Sequence, residues 1–295
     1  VAGGASRTGL GFILLFFLLI AGLGPAVGQG PLRMGLAGPP RNLDPRLATD
    51  ATSERVNRLL YRRLTAFDAE SLPAPSLATW EWLAPTHYRV TLGEEGRDFS
   101  NGGRLTSADV KATYDSVLDP ATASPHRATL ANIADIRVEG PDRLDFHLRE
   151  PDPLFPAYLG MGILPAALIQ SGHPFAVAPV GSGPLRFETW PQPGRLVLRR
   201  QRDGQILELL AVKDPNVRVM KLLRGEIDLL QNDLSPELIG FLRGRDEVRV
   251  ERAPGVNFSY LGFNLEDPVT GLPQVRQALA HAIDWSTAAL TRPGP

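Results

Sequence analysis

Cysteine is absent from the 295 residues, which excludes disulfides, thiol nucleophiles, cysteine-based metal sites and a lipid-modified N-terminal cysteine. An excess of either charge is also lacking: 31 Lys plus Arg stand against 32 Asp plus Glu. Such a balance exerts no broad pull toward nucleic acid or an anionic membrane. Short arginine pairs such as Arg62-Arg63 and Arg199-Arg200 read as solvated faces, and no aromatic interleaving points to a nucleic-acid partner. The five histidines, His87, His126, His147, His173 and His281, have no i, i+4 pair and no ligand spacing, so neither a zinc nor a nickel site is expected from local sequence. Gly181-Ser182-Gly183 lacks the Lys-Ser/Thr tail and following helix of a phosphate loop and is not a Gly-x-Ser-x-Gly elbow. It is expected to turn into a strand, Leu185 to Phe187. Nothing pairs two carboxylates as acid and base, and Asp228 and Asp284 read as structural. No enzyme and no cofactor is expected. No internal repeat or low-complexity tract stands out.

What is present suits an exported globular protein. With 43% hydrophobic residues the chain has material for one or two cores. Arg7, the apolar run Phe12 to Ile20 and the small residues Ala26-Val27-Gly28 outline a signal peptide over 1–28, cleaved before Gln29. A retained membrane anchor is the alternative. Against it, the apolar run spans about half of the ~20 residues a spanning helix needs, and Gly22, Gly24 and Pro25 interrupt its extension.

Helix and strand signals alternate along the rest of the chain. Thr106 with Asp109 forms a capping box ahead of the apolar stripe Val110, Thr113, Tyr114, Val117 and Leu118, which predicts a surface helix packed on a sheet. Ile136 to Glu139 and Leu144 to Leu148 alternate with period two around Gly140-Pro141-Asp142, a hairpin. Asp214-Pro215 caps and starts a helix stopping at Gly225, and Ser235-Pro236 another stopping at Gly244. Strands are expected after each, at Ile227 to Leu230 and Val248 to Glu251. The Pro-rich stretches Pro151 to Pro156 and Pro174 to Pro193 carry apolar residues throughout and read as crossovers between lobes. The pattern is that of an α/β fold.

The most specific stretch lies near the end. Asn257 to Asn264 mixes aromatic and β-prone residues, breaks at Glu266 to Pro268, and is followed from Pro273 by Val275, Ala278, Leu279, Ala282 and Ile283 at amphipathic-helix spacing. A strand, a loop and a helix are expected there. The wording Tyr260-Leu-Gly-Phe-Asn264, then Val275 to Asp284, resembles the hinge strand and helix of the extracytoplasmic solute-binding proteins of the peptide and nickel family (family 5), which feed ATP-driven importers. Other segments resemble that family in order: Asn42 to Pro45 with a helix-like Ser53 to Leu64, Pro75 to Ala78, Phe99 to Gly102 with Leu105 to Lys111, Pro179 to Phe187, and Leu223 to Asp228. One departure is a shortened Arg199 to Gly204, where such proteins usually carry an Arg-Asn-Pro-x-Tyr-Trp stretch. The other is the end at Pro295, where family members continue through a further lobe.

This resemblance implies a type II periplasmic-binding-protein-like α/β fold, truncated after the hinge helix so that the second large lobe is mostly missing. Residues 29–50 and 178–262 would form lobe I, 51–177 an inserted subdomain, and 263–295 the start of the far lobe. It implies capture without chemistry: a small solute or peptide held in a closing cleft and handed to an ABC-transporter permease by an exported, periplasmic or secreted, monomer. The near wall is expected at Ala48, Thr49 and Asp50, with Tyr260 and Asn264 at the hinge. For Asp50 the alternative is a helix cap, and for Tyr260 core packing. Peptides, nickel chelates, opines and some sugars are all carried in this family. The rival expectation is a truncated or repurposed interaction module that no longer binds solute.

Overall fold

The computed structural model describes residues 30–231, 234–251 and 260–284. The chain divides into two units, Val1–Val248 and Arg249–Pro295. In chain order the first unit contains β1 (Leu32–Leu36), α1 (Ala51–Leu60), β2 (Thr65–Phe67), β3 (Pro73–Pro75), β4 (Ala78–Ala84), β5 (His87–Leu92) and α2 (Ser107–Leu118). There follow β6 (Ile133–Val138), β7 (Arg143–Leu148), α3 (Ala166–Gln170), β8 (Leu185–Gln192), β9 (Arg195–Arg200) and β10 (Ile206–Ala211). The unit closes with α4 (Pro215–Leu223), β11 (Leu229–Leu230) and α5 (Pro236–Arg243), and the second unit contains α6 (Pro273–Ala282).

Two main sheets organise the first unit. One is the antiparallel β4-β5-β7-β6. Its strands alternate, so Tyr88 stands opposite Phe146, and Val90 opposite Leu144, on the buried face. The stripe Val110, Tyr114 and Val117 of α2 packs into the same core, as its spacing predicts. Phe146 is fully buried and meets Tyr114 and Phe155 edge-on, ring centroids 5.5 and 5.3 Å apart. The α2 capping box forms as expected: Asp109 Oδ2 accepts the Thr106 N–H at 2.7 Å, while Oδ1 accepts Ala166 N–H at 2.8 Å and so ties α3 to the cap. On the opposite sheet face, Asp145 receives Arg89 bidentately at 2.8 Å through Nε and Nη2, and His87 Nε2 lies 2.9 Å from its Oδ2. The Arg89 hydrogen bonds, above all, bring the Asp145 carboxyl down to about 2, with His87 adding to the effect against a smaller burial penalty.

The second sheet, ordered β11-β1-β10-β9-β8, is mixed: β1 runs parallel to β10 and β11, while β10, β9 and β8 form an antiparallel meander. Strand β8 runs well past Phe187, to Gln192, and tolerates Pro191 because it is an edge strand with two register irregularities. Asp228 is structural, as expected: it accepts the Arg33 backbone N–H at 2.7 Å and pairs with the Arg33 guanidinium, pinning β11 to β1. The core of this sheet joins Leu36, Leu196, Leu198 and Leu209 to Val56, Leu60 and Tyr61 of the α1 region and to Leu164 and Phe175. Those last five lie within 51–177, the span assigned from sequence to an inserted subdomain.

Three expectations need correction. The helix expected from Ser53 to Leu64 stops at Leu60 and Tyr61 is extended, because the Leu60 carbonyl is taken by Gly183 N–H at 2.9 Å instead of a further turn. Residues 248–251 form no strand, having no partner among the described residues with which to share a ladder. Of the strand expected over Asn257 to Asn264, residues 257–259 lie outside the described residues and 260–264 are not in a strand. In the second unit α6 begins at Pro273 as its sequence predicts, and none of its side chains is buried. No helix among the described residues is long and apolar enough to cross a membrane; residues 1–28, read as a signal peptide, lie outside them, as do the last residues from 285 onward.

Candidate functional site

The loop between β1 and α1 is held by its own short polar side chains. Asn42 Oδ1 accepts Asp44 N–H at 2.8 Å, and Asp44, nearly buried, pairs with Arg46 at 2.6 Å. Arg46 then reaches across the fold: its guanidinium lies over the Phe175 ring, 5.4 Å from the centroid, and its carbonyl accepts the Ser124 hydroxyl at 2.6 Å. Asp50 caps α1 through Ser53 N–H at 2.9 Å, and Ser53 Oγ in turn accepts the backbone N–H groups of Arg41 and Asn42. Burial pushes the Asp50 carboxyl up, but the hydrogen bonds from Ser53 and the Thr52 backbone together hold it below the ordinary value. The result is a preorganised ledge, Ala48 to Asp50, at the start of a helix.

Beside this ledge lies a half-open cavity of about 540 Å³, a size suited to a small ligand. Glu54 and Arg58 stand one turn apart on the same face of α1, Tyr61 follows just past its end, and all three line it. Glu54 is bracketed by two guanidinium groups, Arg63 Nη2 at 2.8 Å and Arg58 Nε at 3.4 Å. Arg63 is mostly buried, and its Nε is a buried donor without a hydrogen-bond partner among the described residues, a group that a ligand or water would satisfy. Tyr158, Met161 and Leu130 supply apolar wall. Tyr61, whose hydroxyl donates to the Leu43 carbonyl at 2.9 Å, ties the wall back to the ledge loop, and deep burial raises its phenol well above the usual range. Chemically the cavity offers a carboxylate for a cation, guanidinium groups for an anion, and apolar surface between.

Of the residues expected at the site, Ala48 is buried, Thr49 exposed and Asp50 half-buried. They adjoin the cavity through His126, a lining residue whose Nε2 lies 2.8 Å from the Ala48 carbonyl oxygen. Asp50 makes the helix cap weighed as its alternative. Tyr260 and Asn264 belong to the second unit. There Tyr260 is 82% exposed, and Asn264 opens a turn, its Oδ1 accepting Glu266 N–H at 3.1 Å and its carbonyl the Thr270 hydroxyl at 2.8 Å. Sequence reasoning missed Glu54, Arg63 and His126. Arg63, read as part of a solvated face, is instead a cavity residue. The Glu54-to-Arg58 spacing was the one available signal, and it is common on exposed helices. Gly181 and Gly183 lead through a bend into β8 at Leu185 as expected, and both also make a close approach: a Cβ at either would lie 2.1 or 2.3 Å from a carbonyl oxygen at the end of α1. The described residues contain no cluster of three or more metal-ligating side chains.

Comparison with known proteins agrees with this architecture. Glutathione-binding protein GsiB of Escherichia coli (strain K12) is 27% identical over 255 residues, covering 82% of this chain and 50% of its own. NikZ from Campylobacter jejuni, solved in complex with Ni(L-His), superposes with a TM-score of 0.78 at 22% identity, over 89% of this chain and 55% of that one. DppA from Helicobacter pylori, solved in complex with the peptide STSA, superposes with a TM-score of 0.75 at 23% identity, over 88% and 57%. The chain thus has the α/β fold of periplasmic binding proteins and spans about half the length of the curated relatives it matches. Residues 73–289, well over half of the chain, match the model described as bacterial extracellular solute-binding proteins, family 5 middle, and the chain belongs to that family.

Proposed function

We propose that this chain is part of the extracytoplasmic solute-binding component of an ABC importer, and that its first unit forms one wall of the cleft that captures the solute. The observation that carries the reading is the cavity beside Ala48 to Asp50, in which Glu54 stands between Arg58 and Arg63 next to an apolar wall. That arrangement suits a zwitterionic solute, a peptide or amino-acid derivative, with its ammonium at Glu54, a carboxylate at the arginines, and its side chain against Tyr158 and Met161. Ala48, Thr49 and Asp50 in the first unit, and Tyr260 and Asn264 in the second, are kept as proposed ligand contacts, each within its own unit. The division into lobe I, 29–50 and 178–262, an inserted subdomain, 51–177, and the opening of a far lobe from 263 is part of the same reading. So are export by the N-terminal signal peptide to the periplasm or beyond, action as a monomer, and delivery to a membrane permease that recognises the closed form. Capture requires no covalent step and no cofactor.

Thermal unfolding of the purified chain against a library of short peptides, amino acids, metal chelates and sugars tests the proposal. A ligand that binds only the folded state at 100 times its dissociation constant adds about 2.7 kcal/mol, and hence several degrees in midpoint. A shift with zwitterionic solutes that disappears in Glu54→Gln and in Arg63→Gln supports the site. A shift that both variants retain places the solute elsewhere. A second reading, an interaction module that no longer holds solute, draws on α6, none of whose side chains is buried; a cooperative transition that no solute moves would favour it.

A further inference from the structure

On the other side of the segment 124–131 is a second depression, of about 710 Å³, floored by Leu118, Ala128, Ala131 and Ile133 and flanked by Arg127 and Arg149. Both arginines are tethered. Arg127 Nε donates to the Leu118 carbonyl at 2.9 Å, at the C-terminus of α2, and Arg149 Nε donates to the Ala131 carbonyl at 3.1 Å. These bonds explain why the side chains are held but use one donor of each guanidinium, leaving four N–H groups apiece on positioned heads. Neither arginine makes an ion pair among the described residues, whereas arginines at sixteen other described positions do, Arg33, Arg89 and Arg199 among them. The acidic side chains on either side of Arg127 along the chain are engaged: Asp115 with Lys111 at 2.9 Å, Asp119 with Ala121 N–H at 2.9 Å, and Asp135 with Arg137 at 2.8 Å; Glu150, which follows Arg149, is exposed.

We propose that this depression is a second binding site, for a small organic anion in which a carboxylate or phosphate is joined to a compact apolar body. The guanidinium groups would take the charge and the Leu118, Ala128, Ala131 and Ile133 floor the apolar part. Its wall is shared with the first cavity. Arg127, Ala128 and Ala131 line the second depression, while His126, Thr129 and Leu130 from the same segment line the first. The segment is anchored to the ledge by His126 on the Ala48 carbonyl and by Ser124 on the Arg46 carbonyl. An anion drawing on Arg127 therefore acts on the same few residues that carry His126, which couples the two sites without any contact between their ligands.

The test is a nuclear magnetic resonance titration of the full chain with phenyl phosphate and with benzoate, reading the arginine Nε signals and the His126 ring, with benzyl alcohol as the uncharged control. The expected result is saturable binding of both anions, absent for benzyl alcohol, with shifts at Arg127, Arg149 and His126. Affinity should fall at least tenfold in Arg127→Gln and in Arg149→Gln. Because those substitutions remove backbone tethers, Ala128→Glu serves as the second variant; it leaves both arginines in place, sets a carboxylate beside them and should also abolish binding. Binding retained in Ala128→Glu and both arginine variants, or equal binding of benzyl alcohol, overturns the proposal. Shifts at the Arg58 and Arg63 Nε signals in place of those at Arg127 and Arg149 would put the anion in the first cavity, overturning the second site while leaving the solute-capture reading intact.

Discussion

The backbone N–H of Gly183 donates to the carbonyl of Leu60 at 2.9 Å, across more than 120 residues of sequence. This contact ends α1, seats the segment leading into β8 against it, and leaves no room for a side chain: a Cβ at Gly183 would lie 2.3 Å from the Leu59 carbonyl oxygen. Gly183→Ala is therefore expected to destabilise the chain by about 2–4 kcal/mol, because the obstacle is backbone and cannot rotate away. Gly240, inside α5 with open space around it, should behave oppositely, Gly240→Ala adding about 0.5–1 kcal/mol from helix propensity. Urea unfolding of the two variants measures both.

Acid stability should report on Asp145. Its carboxyl titrates near 2 in the folded chain, against about 3.9 in an unfolded one. A depressed carboxyl contributes stability that is complete above the unfolded value and is lost as pH falls from about 5 through 2. Asp145→Asn should consequently be less stable than the parent at pH 7, with the gap closing toward pH 2. A constant gap across that range in pH-dependent urea melts would show that the pair with Arg89 does not set it.

Phe146 sits at the centre of the four-stranded sheet's core, between Tyr114 and Phe155. Phe146→Ala should cost about 3–5 kcal/mol, from lost burial plus the cavity left behind. Phe146→Leu, which keeps most of the volume, should cost clearly less. Equal losses in chemical denaturation would mean that ring geometry rather than volume matters there.

The double role of Asp109, capping α2 and holding Ala166, predicts that Asp109→Ala loses more than a simple cap. The expected loss is about 2 kcal/mol, against about 1 for the exposed cap Ser235→Ala on α5. Amide exchange should accelerate at Ala166 in the first variant and not in the second.

Much of the local structure was legible in the chain. The Thr106–Asp109 box, the hairpin around Gly140-Pro141-Asp142, and the starts of α4, α5 and α6 at Pro215, Pro236 and Pro273 all follow from signals within a few residues of where they act. At the ledge Ala48 to Asp50 the Asp50 cap was legible locally, while its reading as a ligand wall came only through family resemblance. What lay beyond sequence reasoning was partnership between distant segments. Val248 to Glu251 has strand-forming residues but no neighbour among the described residues to share a ladder, while β1 gains two parallel partners from chain some 170 to 200 residues away. Arg63 looks solvated beside Arg62, yet the fold turns it onto Glu54, and His126 acquires its place from the carbonyl of Ala48, 78 residues earlier. Caps and turns are chosen by neighbours along the chain, so the local order of residues by itself determines them. Ladders, close approaches and cavity walls depend on which backbone groups must be satisfied once the chain is packed, and only the tertiary structure decides that.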